Sequence, residues 1–124
     1  MKFTKKNLTR ISELDYLIIE NVKSLRIGRN MSRQQLSEKM GVANSFVGKV
    51  ENLSFRDKYN IRHLTLIAKA FGLATVKDLI PSDIPDNDMI EITYEKVSKV
   101  NDSGVIGKQT EDKVISIKAV KKNK

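Results

Sequence analysis

The stretch SRQQLSEKMGVANSFVGKVEN, residues 32–52, decides how this chain folds. Ser32 and Gln35 stand at capping-box spacing, and Met31 and Leu36 flank the cap where a hydrophobic staple forms. This predicts a helix from Ser32 to about Met40. Gly41 can take the left-handed conformation that ends it, and Val42 can drop into the core. Ala43 or Asn44 then begins a second helix, expected over about 44–51. On that second helix Val47 and Val50, three residues apart, point inward, so Asn44, Ser45, Gly48 and Lys49 are left on the outer side.

Working outward, Leu14, Leu17, Ile18, Val22 and Leu25 recur at helical spacing before this stretch, with Ser12 and Asp15 placed to cap the helix and Gly28 to end it. After the polar loop LSFRDKY, Asn60 is a good cap for a fourth helix, whose stripe is Ile61, Leu64, Ile67, Ala68 and Phe71, closed by Gly72. Thr75 and Asp78 repeat the capping spacing, so TVKDLI reads as a short fifth helix stopped by Pro81. Residues 82–88, with Pro85 and three aspartates, read as a linker. Beyond it, Ile90, Ile92 and Tyr94, and later Ile115, Ile117 and Ala119, alternate with polar residues, which predicts strands at 89–97 and 113–120 with a turn at NDSG, residues 101–104. The expected fold is mainly α: a basic arm at 1–12, a five-helix domain at 13–81, and a short two-stranded β extension within 89–124. Two strands alone are marginal in water, so that extension is expected to dimerise or bind a partner.

Composition bounds the function. A length of 124 residues suits one small core plus an extension, and 40% hydrophobic with 31% charged residues is a globular balance. No apolar run approaches the roughly 18 residues that span a bilayer, so no membrane role is expected. The N-terminal segment lacks the continuous apolar core of a secretory leader. With no cysteine there is neither a disulfide nor a thiolate zinc site, and a cytoplasmic setting is expected. The single histidine, His63, near a helix start, reads as a surface or boundary residue. Without a phosphate-binding glycine loop or metal-ligand spacing, the chain is expected to be no enzyme and to need no cofactor or metal. The net charge of +8 divides as +4 over residues 1–30, +4 over 31–81 and zero over 82–124. A polyanion would therefore meet the first two thirds.

Two helices crossing across a short turn, with polar and basic groups on the outer face of the second, suit the DNA major groove, about 12 Å wide. Residues 14–80 resemble the phage-repressor and Cro-type helix-turn-helix family, also called the xenobiotic-response-element (XRE) family. The resemblance rests on VKSLR at 22–26, MSRQQLSEKMGV at 31–42, VGKVEN at 47–52 and LIAKAFGL at 66–73. It implies that Asn44, Ser45 and Lys49 contact base edges, with Asn suited to adenine and Lys to guanine acceptors. Asn44 reads equally well as a helix cap. Phe46 can touch a thymine methyl or cover the core. Gly48 costs about 1 kcal/mol relative to Ala within a helix, which close approach of the backbone to DNA would explain. By resemblance Arg33, with Gln34 beside it, clamps the phosphate backbone, and Asn52, Arg56, Lys58, Tyr59 and Asn60 fall where a second phosphate is held. Arg26 and Glu51 match positions of a structural ion pair.

These readings predict a sequence-specific regulator of transcription that binds double-stranded DNA, a repressor working as a homodimer through strands 89–97 and 113–120. The competing reading is an antitoxin-like interaction module of a mobile element or toxin–antitoxin pair, acting on a protein partner through residues 89–120. A basic C-terminal arm, Lys118, Lys121, Lys122 and Lys124, touching DNA is a further alternative.

Overall fold

The structure, a computed structural model, describes residues 5–100 and 106–120. Strand β1 (Lys6–Ser12) leads into α1 (Glu13–Gly28), α2 (Arg33–Met40), α3 (Phe46–Val50) and α4 (Ile61–Ala70), followed by a 3₁₀ turn at Lys77–Leu79 and strands β2 (Met89–Val100) and β3 (Ile106–Ala119). The three strands form one antiparallel sheet in the order β1-β2-β3. Ile11 pairs with Ile90, and Ile92 with Ile117, so these side chains share the face turned toward the helices.

Several local signals do what their chemistry predicts. Ser12 Oγ accepts from the Asp15 amide at 3.0 Å and starts α1. Both halves of the Ser32–Gln35 capping box form, and Gly41 ends α2 at φ 75°. Asn60 Oδ1 accepts from the His63 amide, while His63 Nδ1 accepts in return from the Asn60 amide at 3.0 Å. His63 is thus a buried half of a capping box rather than a surface or boundary residue.

Two expectations need correction. The fifth helix is a single 3₁₀ turn. Thr75 Oγ1 accepts from Lys77, two residues on, instead of Asp78, three on, and Leu79 is drawn fully into the core before Pro81. The described residues therefore hold four α-helices rather than five. The β portion has three strands rather than two, because residues 6–12 of the expected basic arm pair along β2 from Lys6↔Glu95 to Ser12↔Met89. Gly28 is the last residue of α1, as its placement predicts, and Asn30 beyond it takes the left-handed conformation at φ 53°. Strands β2 and β3 run longer than expected, and the turn at 101–104 lies outside the described residues.

One core joins the layers. Val22 of α1, Leu36 of α2, Val47 of α3, Ile67 of α4 and Leu79 are buried together with Ile11, Ile90, Ile92 and Tyr94 of the sheet. At about 25 cal/mol per Å² of apolar surface removed from water, this shared burial is the main term holding sheet to helices. The segment before β2 is tied as well: Glu13 accepts from the Asn87 amide and side chain, and the Glu13 amide donates to Asp88 O at 2.9 Å.

Candidate nucleic-acid interface

Helix α3 has five residues and no side-chain cap at its start, where Ser45 occupies the N-cap position. Such a piece is too short to persist on its own propensity, and other elements hold it. Ser37, fully buried on α2, donates its hydroxyl to Arg33 O and accepts from the Val47 amide at 3.1 Å. Val47 and Val50 face the core as the spacing predicts.

Glu51, just past the helix, is the electrostatic centre. Arg26 donates Nε to Glu51 Oε2 and Nη2 to Oε1, both at 2.9 Å, and its Nη1 donates to Met31 O at 2.8 Å. This planar two-pronged pairing satisfies a carboxylate that is 1% exposed. Arg33 adds a third bond, Nε to Oε1 at 2.9 Å, while staying about a third exposed. The expected ion pair between Arg26 and Glu51 is thus a triad that also includes Arg33.

The outer surface of the motif is open. Asn44, Ser45 and Lys49 are exposed. Asn44 does not occupy the N-cap position, which falls to Ser45. A Cβ built on Gly48 meets only the Arg33 Cδ, at 3.9 Å, so the protein's own packing does not require glycine there. Gln34 is exposed and donates to Glu38 Oε1 at 3.3 Å. Lys23, Arg33, Gln34, Asn44, Gly48 and Glu111 of β3 border one groove.

The remaining candidates separate. Phe46 turns half inward, its ring 4.7 Å from His63 and 6.0 Å from Tyr59. Tyr59 is buried, and burial, with the Glu51 charge, pushes its phenol well above the usual range. Its hydroxyl has no hydrogen-bond partner among the described residues. Asn52 accepts from Lys96 Nζ at 3.0 Å and from the Ser54 amide at 2.9 Å. Arg56 and Asn60 are exposed and Lys58 half-buried, with Lys58 Nζ donating to Arg56 O at 3.3 Å. Lys118 lies 3.6 Å from Glu91, and residues 121–124 fall outside the described residues.

Sequence reasoning missed Ser37, Lys96 and Asp112. The strand pattern carried a signal for Lys96, which follows Ile90, Ile92 and Tyr94 on the inward phase of β2, where a lysine needs a partner. That partner, Asp112, sits opposite it in register.

No helix among the described residues is long and apolar enough to cross a membrane. Comparisons of the chain with curated proteins and with solved structures found no match. A family model described as helix-turn-helix matches residues 22–77, the span from the middle of α1 to the first residue of the 3₁₀ turn, and it describes a DNA-binding regulatory domain rather than an enzyme. The capped α2, the left-handed Gly41, the outward face of α3 and this match agree: residues 22–77 form a helix-turn-helix domain, similar to the DNA-binding domains of phage-repressor and Cro-type (XRE) regulators.

Proposed function

We propose that the protein is a sequence-specific transcriptional repressor that binds double-stranded DNA as a homodimer, with α3 in the major groove. The observation that carries this reading is the exposed row Asn44, Ser45 and Lys49 around a glycine whose Cβ position meets only the Arg33 side chain. Asn44 and Lys49 read base edges, and Ser45 tolerates either donor or acceptor. Arg33 and the free amides at the start of α2 take the flanking phosphate, and Arg56, Lys58 and Asn60 the next one. The partial exposure of Arg33 lets its outer nitrogens reach a phosphate while Nε stays on Glu51.

Dimerisation supplies the second half-site. Strand β3 is an edge of the sheet, and Ile115 and Ile117 on it are 43% and 45% exposed. Edge-to-edge pairing of two β3 strands covers these side chains and leaves the helix-turn-helix units outermost. The same edge favours the second reading, capture of a protein partner by strand addition.

Selecting bound sequences from a random duplex pool tests the proposal. The expected product is a near-palindrome whose half-sites lie about 34 Å apart. Binding should fall steeply with salt, and Lys49→Ala should lower that salt slope by about 1 if it contacts phosphate, or relax one base position if it reads an edge. Gly48→Ala should raise thermal stability by up to about 1 kcal/mol while weakening duplex binding. No enrichment, with salt-insensitive binding to a protein partner, would reject the reading in favour of the interaction module.

A further inference from the structure

The sheet is joined to the end of α3 by a set of polar contacts. Asp112 Oδ2 of β3 accepts from the Leu53 amide at 2.7 Å, and Asp112 Oδ1 accepts from Lys96 Nζ at 2.8 Å. The same lysine donates to Asn52 Oδ1 at 3.0 Å, and the Tyr94 and Ser54 hydroxyls lie 3.2 Å apart. Three consecutive residues after α3, Asn52 to Ser54, are thus each bonded to the sheet. Asp112 is 10% exposed, so its bonds are short, charge-assisted and shielded from competing water.

Close packing alone does not set the position of this joint. Beside the contacts lies a pocket of about 230 Å³, partly open to solvent and bordered by Glu20, Lys23 and Lys58 as well as by Ile11, Val50 and Asp112. Side chains facing a void lack partner atoms on that side and resist displacement weakly. The hydrogen bonds add to the shared core in fixing the spacing between sheet and helix at this point.

We infer that Asp112 and Lys96 are positioning residues for DNA reading: they hold the C-terminal end of α3 at the height and tilt that sequence-specific contact requires. The inference rests on the proposed DNA-binding function. It assigns Asn52 to this clamp rather than to a phosphate, and it makes the sheet part of the reading device. A base contact is lost by a displacement of about 1 Å, whereas phosphate attraction tolerates it. Loosening the clamp therefore costs specific binding and spares non-specific binding.

The test uses the full chain and its Asp112→Ala, Asp112→Asn and Lys96→Met variants. Amide hydrogen exchange in the free protein reads the clamp itself. In Asp112→Ala, exchange at Lys49 to Leu53 should rise roughly tenfold while Ile67 and Ala68 of α4 stay protected, the sign of local rather than global opening. Titration against the selected site and a scrambled duplex reads the consequence. Specific affinity should fall roughly tenfold or more in Asp112→Ala, and less in Asp112→Asn, which keeps an acceptor for Leu53; scrambled-duplex affinity should move less than about threefold. Unchanged exchange at 49–53 overturns the clamp. Altered exchange with an unchanged specificity ratio overturns its role in reading. If the wild-type chain binds no duplex, the DNA reading fails, and exchange still decides whether the clamp exists.

Discussion

Helices α2 and α3 are both short, and they are held in opposite ways. Helix α2 carries its own instructions: Ser32 and Gln35 close its start and Gly41 closes its end, all within ten residues of chain. Helix α3 has no side-chain cap, and its supports come from Ser37 on α2, Arg26 on α1, Arg33 at the start of α2 and Asp112 on β3. A locally specified helix spends its own side chains on being a helix. One held by neighbours leaves its outer positions free, and α3 is the segment whose outer positions face away from the protein.

The strongest challenge to this contrast is Arg26→Met. It removes both prongs from the buried Glu51 and the donor to Met31 O, so unfolding free energy should drop by about 3–5 kcal/mol, toward the lower end because Arg33 keeps one bond. Urea denaturation checks this, and an unchanged midpoint would mean that α3 is not held from α1. Ser37→Ala comes next: it leaves the Val47 amide buried without an acceptor, at about 1–3 kcal/mol. The loss should concentrate in exchange rates of α3 amides, whereas a loss spread evenly over all helices would blur the distinction. Ser32→Ala tests the locally built helix and should cost about 1 kcal/mol in a melting scan, with α3 little affected.

The smallest effect concerns the cap of α4. Because burial disfavours the charged ring, with the Arg62 charge adding to the effect, the His63 pKa lies below the ordinary 6.5. As pH falls through the unfolded value, the unfolded chain takes up the proton first. Stability from this group is therefore full above about 6.5 and is lost below it, toward the depressed folded value. His63→Gln keeps the reciprocal cap without titrating. Its denaturation midpoint should fall less than that of the wild type between about pH 7.5 and about pH 5.

The same contrast explains what could be read from sequence. Capping residues Ser12, Ser32, Gln35 and Asn60 announce themselves, since each acts on an amide three residues away. Arg26 and Glu51 were legible only through the family resemblance, being 25 residues apart with no local pattern to link them. Thr75 and Asp78 carried a false signal, because spacing alone cannot say whether Leu79 will turn into the core. β1 was hidden because five of the seven residues of KNLTRIS are charged or polar, as suits a strand at the edge of a sheet. On the reading surface, the outward phase of Asn44, Ser45 and Lys49 followed from Val47 and Val50. The commitment of Asn52 to Lys96, and of Phe46 to the aromatic cluster, depended on elements far along the chain.

The pairing of β1 with β2 brings Lys6 opposite Glu95. During synthesis, most of the chain must emerge before the opening strand finds its neighbour, so the helices assemble first and their underside waits uncovered.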